Sequence, residues 1–236
     1  MAREIIFFRR EYEKKMTLSL SSEEIAHLRS LRIFQNTKII QIRDGLGKVY
    51  YYEVGANEKT ANYIGEKQVD SNENQLEIAT AVPKAGKYEF LLQKATELGV
   101  GTINFVNCLQ SERRNINSDR TAKVIAEAAA QSRRYFLPRF SLYGSLEGFM
   151  NEKQAGFFYL DPYVEETLTV EKLVAGVPII GPEGGFHPKE LQLFRQKAIP
   201  GFSLGKEILR LETACIYVLS LMKFYKEQMC FAKNLN

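Results

Sequence analysis

The 236 residues are 45% apolar and 25% charged, the make-up of a globular protein with a real core, which excludes a disordered chain, a collagen-like repeat and a disulfide scaffold. The 32 lysines and arginines against 28 aspartates and glutamates leave a net charge of +4, too mild to signal nucleic-acid binding by itself. Cys108, Cys215 and Cys230 form no C-x-x-C pair, so no disulfide framework and no metal site is expected; the apolar runs at 5–8 and 214–222 are too short for a signal-peptide core or a membrane span, and a cytoplasmic protein without membrane association follows.

The first 70 residues read as a small, mostly β unit. Residues 5–8 are a strand candidate, and Ser21 with Glu24 forms a capping-box signature ahead of a helix carrying Ile25, Leu28 and Leu31. Residues 38–42 and 49–54 flank the turn DGLG at 44–47 and predict a hairpin, which a barrel-like fold would close economically. The polar stretch DSNEN at 70–74 predicts a linker, giving domains at 1–72 and 73–236. Beyond it strands and helices alternate, the pattern of an α/β domain with a mostly parallel sheet. Strands are expected at 76–82, 103–108, 157–160 and 177–180. Helices are expected through Tyr88, Leu91, Leu92, Ala95 and Leu98 with Gly99 just past the end, through Ala122, Ile125, Ala126 and Ala129, from Pro188, and over 212–225.

Absences narrow the chemistry. Neither G-x-G-x-x-G after a strand, nor a P-loop, nor G-x-S-x-G occurs, and His27 and His187 are the only histidines. Three clusters remain. GPEGGF at 181–186 lies between a strand and a helix, as a tight turn or as a ligand loop whose glycines let backbone approach closely. An acid such as Glu183 is not required by a turn alone. LGKEILRLETA at 204–214 leads into the last helix, which Glu212 or Thr213 can serve as an early-turn or capping residue; Arg210, flanked by Leu209 and Leu211, calls for an acidic partner or an anionic ligand. In EAAAQSRR at 127–134 the spacing of Glu127, Gln131 and Arg134 puts them on one helix face. Seven basic residues against three acidic ones over 110–139 make that stretch either a phosphate contact surface or a solvated helix face.

In this order QKATELGV at 93–100, GPEGGF and LGKEILRLETA, together with SERR at 111–114, EAAAQSRR, HLRSLR and DGLGKVYYYEV, resemble the RsmE family of bacterial 16S ribosomal RNA uridine-N3 methyltransferases, of the SPOUT class. The resemblance implies a PUA-like RNA-binding β-barrel at the N-terminus and an α/β domain with a deep trefoil knot, a rare exception to unknotted topology. It also implies S-adenosylmethionine as cofactor, 16S ribosomal RNA in the small subunit as substrate, and a homodimer whose active site draws on both chains. The cofactor residues would be Leu160, Gly181, Pro182, Glu183, Gly184, Gly185, Leu204, Gly205, Ile208, Leu209 and Arg210. Uracil N3 carries a proton and is a poor nucleophile until that proton leaves. Arg210 and Arg134 would hold the anionic base or its phosphate, with Glu183 or Glu212 as proton acceptor. Arg9, Arg10, Arg113, Arg114, Gln131, Arg133 and Arg134 are the expected RNA contacts. The chain departs from the family at Glu207, where an arginine is common, and at Ala130, where a second acid is common. The competing readings are a catalytically silent RNA-binding assembly factor and a SPOUT enzyme of another RNA.

Overall fold

A computed structural model describes residues 4–30, 38–55, 59–70, 76–112, 114–153, 155–174 and 176–233. Its contacts divide the chain into two compact units, Met1–Glu73 with Ala126–Leu137, and Asn74–Ile125 with Pro138–Asn236. Apart from Asp70, the expected linker and the boundary after residue 72 lie outside the described residues. Residues 126–137, read from sequence as part of the second domain, group with the first unit.

In the first unit β1 (Ile5–Phe8), β2 (Thr17–Ser19), α1 (Ser22–Ser30), β3 (Ile39–Arg43), β4 (Lys48–Val54) and β5 (Thr60–Gln68) follow one another. The sheet order is β1-β3-β4-β5-β2, with β1 and β3 parallel and the remaining pairs antiparallel. Ile5, Leu18, Leu28, Ile40, Ile42, Tyr52 and Ala61 pack into one core. Tyr52 is tolerated there because its hydroxyl donates to the Lys15 carbonyl (2.9 Å) and meets the Tyr12 hydroxyl at 2.8 Å. The capping box forms as expected: Ser21 Oγ accepts from the Glu24 N–H (3.2 Å) and the Glu24 carboxylate from the Ser21 N–H (2.7 Å). Leu31 lies outside the described residues. In the hairpin turn, Asp44 Oδ1 accepts from the N–H groups of Leu46 (2.7 Å) and Lys48 (3.0 Å). Gly47 is required there, with φ +101° and room for no side chain, since a Cβ would stand 2.5 Å from the Val69 carbonyl oxygen. Strands β2 and β5 escape a reading by apolar alternation because only Leu18 and Ala61 in them are buried.

The second unit begins with β6 (Leu76–Ala81), α2 (Ala85–Glu97) and β7 (Val100–Val106), and α3 (Ser118–Gln131) runs from it into the first. Then come β8 (Arg139–Tyr143), α4 (Leu146–Glu152), β9 (Phe157–Leu160), β10 (Val177–Ile180), α5 (Pro188–Gln196), β11 (Gly201–Phe202) and α6 (Leu211–Lys233). The sheet order is β11-β9-β10-β6-β7-β8 and every pairing is parallel. The fold class is therefore α/β with a parallel sheet, and the buried run of β7 is what two covered faces demand. α2 ends at Gly99, whose φ of +91° is the left-handed stop. α6 packs on α2, β6 and β10.

One sequence expectation is corrected. α3 stops at Gln131, so Arg134 does not continue the face of Glu127 and Gln131. The Arg134 N–H donates to the Ala129 carbonyl (2.8 Å) and the Arg133 N–H to the Ala130 carbonyl (3.2 Å), with Arg133 left-handed at φ +58°. This is a Schellman turn with an arginine where glycine is usual, and it redirects the chain.

Candidate active site

Because β9, β10 and β11 are parallel neighbours, their C-terminal ends fall on one edge of the sheet, and the loops leaving them enclose a cavity of about 430 Å³. This is where open α/β sheets bind ligands, and the size suits a cofactor-sized molecule. Leu160, Gly181, Pro182, Glu183, Gly184, Gly185, Leu204, Ile208, Leu209 and Arg210 line it. Gly205 does not; its φ of +133° shapes the third loop instead. Glu207, within the loop 204–210 read as a cofactor loop, lines the cavity too, while residues such as Asp161, Tyr163, Phe186, Leu191 and Ala214 were missed, all within a few positions of residues the sequence singled out.

The GPEGGF loop is pinned from behind. Phe186 stands edge-on to Tyr159 (5.9 Å) and Phe194 (5.1 Å), and Tyr159 stacks flat on Phe194 at 4.3 Å. Gly201 makes room for that stack, since a Cβ there would lie 2.3 Å from the Tyr159 ring. Glu190, buried at the start of α5, accepts from the His187 N–H at Oε2 (2.8 Å) and from the Leu109 N–H at Oε1 (2.9 Å), tying the loop after β7 to the loop before α5. The amide of Gln110, turned with nitrogen toward the acceptors around it, donates to the carbonyls of Gly184 (2.5 Å) and Gly185 (3.2 Å). Neither residue stood out in the sequence; for Glu190 the signal was the capping spacing H-P-K-E, in which His187 caps α5.

The cavity walls are apolar except for three carboxylates, Asp161, Glu183 and Glu207, and one cation, Arg210. Asp161 is buried and its Oδ1 accepts from the Tyr163 N–H (2.9 Å). Glu183 and Glu207 are exposed. Lys84, just before α2, pairs with Glu112 at 2.9 Å; that contact, with a smaller contribution from Glu183, raises its pKa. Arg210 corrects a second expectation. It is exposed at the cavity rather than shut in an apolar segment, and its carbonyl accepts the Ala214 N–H (2.9 Å), so Arg210 stands at the cap of α6 while Glu212 and Thr213 occupy its first turn. Exposure removes the need for an acidic partner and leaves the cation available to a ligand.

The remaining candidates are dispersed. Glu212 is buried, lies 3.6 Å from Lys87 Nζ and does not line the cavity. Arg9 is engaged by the Glu24 carboxylate (3.0 and 2.6 Å) and the Ser19 carbonyl (3.2 Å). Arg10, Gln131 and Arg133 are exposed, and Arg114 reaches the Leu109 carbonyl at 3.2 Å. Arg113 lies outside the described residues. Arg134 is half-buried, and burial pushes its guanidinium down to about 10.

A family model described as RNA methyltransferase domain matches residues 70–223. The chain is 26% identical over 241 residues to ribosomal RNA small subunit methyltransferase E of Bacillus subtilis, covering 93% of this chain and 94% of that one. It is 29% identical over 226 residues to the protein of the same name from Mesomycoplasma hyopneumoniae, covering 91% and 96%. Among solved structures, ribosomal RNA small subunit methyltransferase E of Neisseria gonorrhoeae bound to S-adenosyl methionine superposes with a TM-score of 0.76 at 22% identity, over 94% of this chain and 98% of that one.

Proposed function

This chain belongs to the RNA methyltransferase domain family, and on that premise we propose that it methylates N3 of a uridine of 16S ribosomal RNA in the small subunit, using S-adenosylmethionine. The observation that carries the reading is the cavity itself, formed by three loops at adjacent parallel strand ends, two of them glycine-bearing, with apolar walls and three carboxylates against one cation. That donor set fits the cofactor: the walls suit an adenine, the glycine backbone offers close amide and carbonyl groups, and the acidic excess suits a ligand bearing a sulfonium and an ammonium. When bound, S-adenosylmethionine supplies an electrophilic methyl group.

The chain's own residues do the rest. Glu183, exposed within the cavity lining, accepts the N3 proton; Glu212, held against Lys87, is the poorer candidate. Arg210 stabilises the anion that spreads over N3, O2 and O4. Arg133 and Arg134, with Arg10 and Arg114, contact RNA phosphates, whereas Arg9, engaged by Glu24, serves the first unit. Glu207 places a negative charge where the family commonly has an arginine, so phosphate contact at that position passes to the other cations.

Two finer features belong to the same reading: a deep trefoil knot in the second unit and a PUA-like barrel in the first. The pairing of Leu168 and Ser203, with N–H to O at 2.9 Å, supports the knot by laying the third loop against the segment after β9. A homodimer is part of the reading too, supported by the solvent exposure of Tyr163 (84%) and Ile208 (68%) at the cavity, apolar surface that a second copy would cover.

The test is transfer of labelled methyl from S-adenosylmethionine to small ribosomal subunits lacking the modification, followed by nucleoside analysis. Label in 3-methyluridine is the expected result. Cofactor binding without transfer would move the substrate to another RNA, and absence of cofactor binding would leave a silent RNA-binding module.

A further inference from the structure

We propose that Arg43 is the positioning residue of an RNA-contact arm formed by Arg133 and Arg134; the proposal rests on the reading above that these two arginines meet RNA. Arg43, the last residue of β3, has no solvent exposure. A buried guanidinium is tolerated only when its donors are paired, and here the pairing determines what the residue holds. Nε and Nη2 donate to Gln41 Oε1 (3.0 and 2.6 Å), and Nη1 donates to the carbonyls of Arg133 (2.8 Å) and Arg134 (2.7 Å). The Tyr135 ring lies 4.2 Å from the guanidinium carbon, and the Glu4 carboxylate 3.7 Å from Nη2.

Those two carbonyls belong to the turn in which Arg133 is left-handed. Glycine would hold that conformation without strain, whereas an arginine there is strained and persists only where its surroundings over-determine it. Arg43 supplies that determination. With both carbonyls fixed, the two successive side chains leave the turn in set directions, Arg133 into solvent. Lys67, which donates to the Tyr135 hydroxyl at 3.2 Å, adds a third cation held by the same tyrosine. Nothing about Arg43 places it against substrate; it acts through the backbone of its neighbours.

The experiment is a mutant cycle in the full chain, read by affinity for a labelled 16S ribosomal RNA transcript, by KM and kcat on unmethylated small subunits, and by calorimetric cofactor affinity as the control for an intact second unit. Arg43→Lys keeps the charge but cannot span both carbonyls and Gln41, so RNA affinity falls about tenfold and KM rises, while kcat and cofactor affinity stay within twofold. Arg133→Gln with Arg134→Gln lowers RNA affinity and reduces the slope of log affinity against log salt by about 1 to 2. Adding Arg43→Lys to that pair costs less than a further twofold, because the arm it positions is gone. A full tenfold loss on top of the pair, or an unchanged RNA affinity in Arg43→Lys alone, overturns the proposal. Unchanged affinity in the double glutamine variant would instead overturn the reading of the two arginines as RNA contacts. Should Arg43→Lys fail to fold, Gln41→Leu, which leaves Nε unpaired, replaces it in the same cycle with the same expected sign.

Discussion

Two residues at the cavity divide the proposed chemistry between them. Arg210 is exposed, lines the cavity and offers it a cation. Arg210→Ala is therefore expected to lower single-turnover methyl transfer by about 10² to 10³, the usual loss for one charge-stabilising donor, with melting temperature and cofactor affinity nearly unchanged. Transfer at the parental rate in a protein that still binds cofactor would remove Arg210 from the mechanism. Glu183→Gln and Glu212→Gln form the paired test of the proton acceptor. The first is expected to slow single-turnover transfer by 10² or more; the second to leave transfer near the parental rate and cost at most about 1 kcal/mol of stability, since its partner Lys87 is half in solvent. The residue that sequence could not reveal is Arg43. Beyond Gln41, its hydrogen-bond acceptors are the carbonyls of Arg133 and Arg134, 90 and 91 positions away along the chain, and no local pattern announces them.

At the scale of elements, the cavity loop depends on what is locked behind it. Glu190 accepts two backbone N–H groups, one at each oxygen, a task a carboxylate performs and an amide cannot, because the amide nitrogen would face a donor. Glu190→Gln should cost about 1 to 3 kcal/mol in urea unfolding and weaken cofactor affinity in calorimetry. Gly201→Ala should do similar damage by another route, since the new methyl displaces Tyr159 from its stack on Phe194, with about 1 to 3 kcal/mol lost to overpacking. The elements legible in the sequence were those whose own burial writes the pattern: 157–160 and 177–180 are strands in the structure as read, and the helix from Pro188 carries its cap beside it. β8 and β11 were not legible, because β8 is largely exposed and β11 has two residues; both are defined by the neighbour they pair with. The cavity was legible in part for the same reason, its glycine loops being local and the aromatic stack behind them assembled from β9, α5 and β11.

For the whole molecule, the two buried thiols set a pH dependence of stability. Burial pushes Cys108 and Cys215 up to about 12 from an ordinary value near 9. The folded protein therefore keeps protons that the unfolded chain loses above pH 9, so the contribution is intact below 9 and is lost as pH rises toward 12. Between pH 8 and pH 10 each thiol should lower the unfolding free energy by about 1 to 2 kcal/mol, measured by urea titration, and Cys215→Ala should flatten the slope. Arg134, held down to about 10, works in the opposite sense above that pH, which confines the clean window to pH 8–10.

The packing of α6 on β6 and α2 has a consequence for synthesis. Cys215 donates to Thr80 across 135 positions, and Ala214 closes the cavity wall begun by Leu160. A chain emerging from a ribosome would expose the buried faces of β6 and β10 until α6 follows them out of the exit tunnel, because a parallel sheet offers no early hairpin to cover them. Ligand capture by the nascent chain would thus wait for α6, and a product arrested just before residue 210 would carry the whole parallel sheet without a closed cavity to fill.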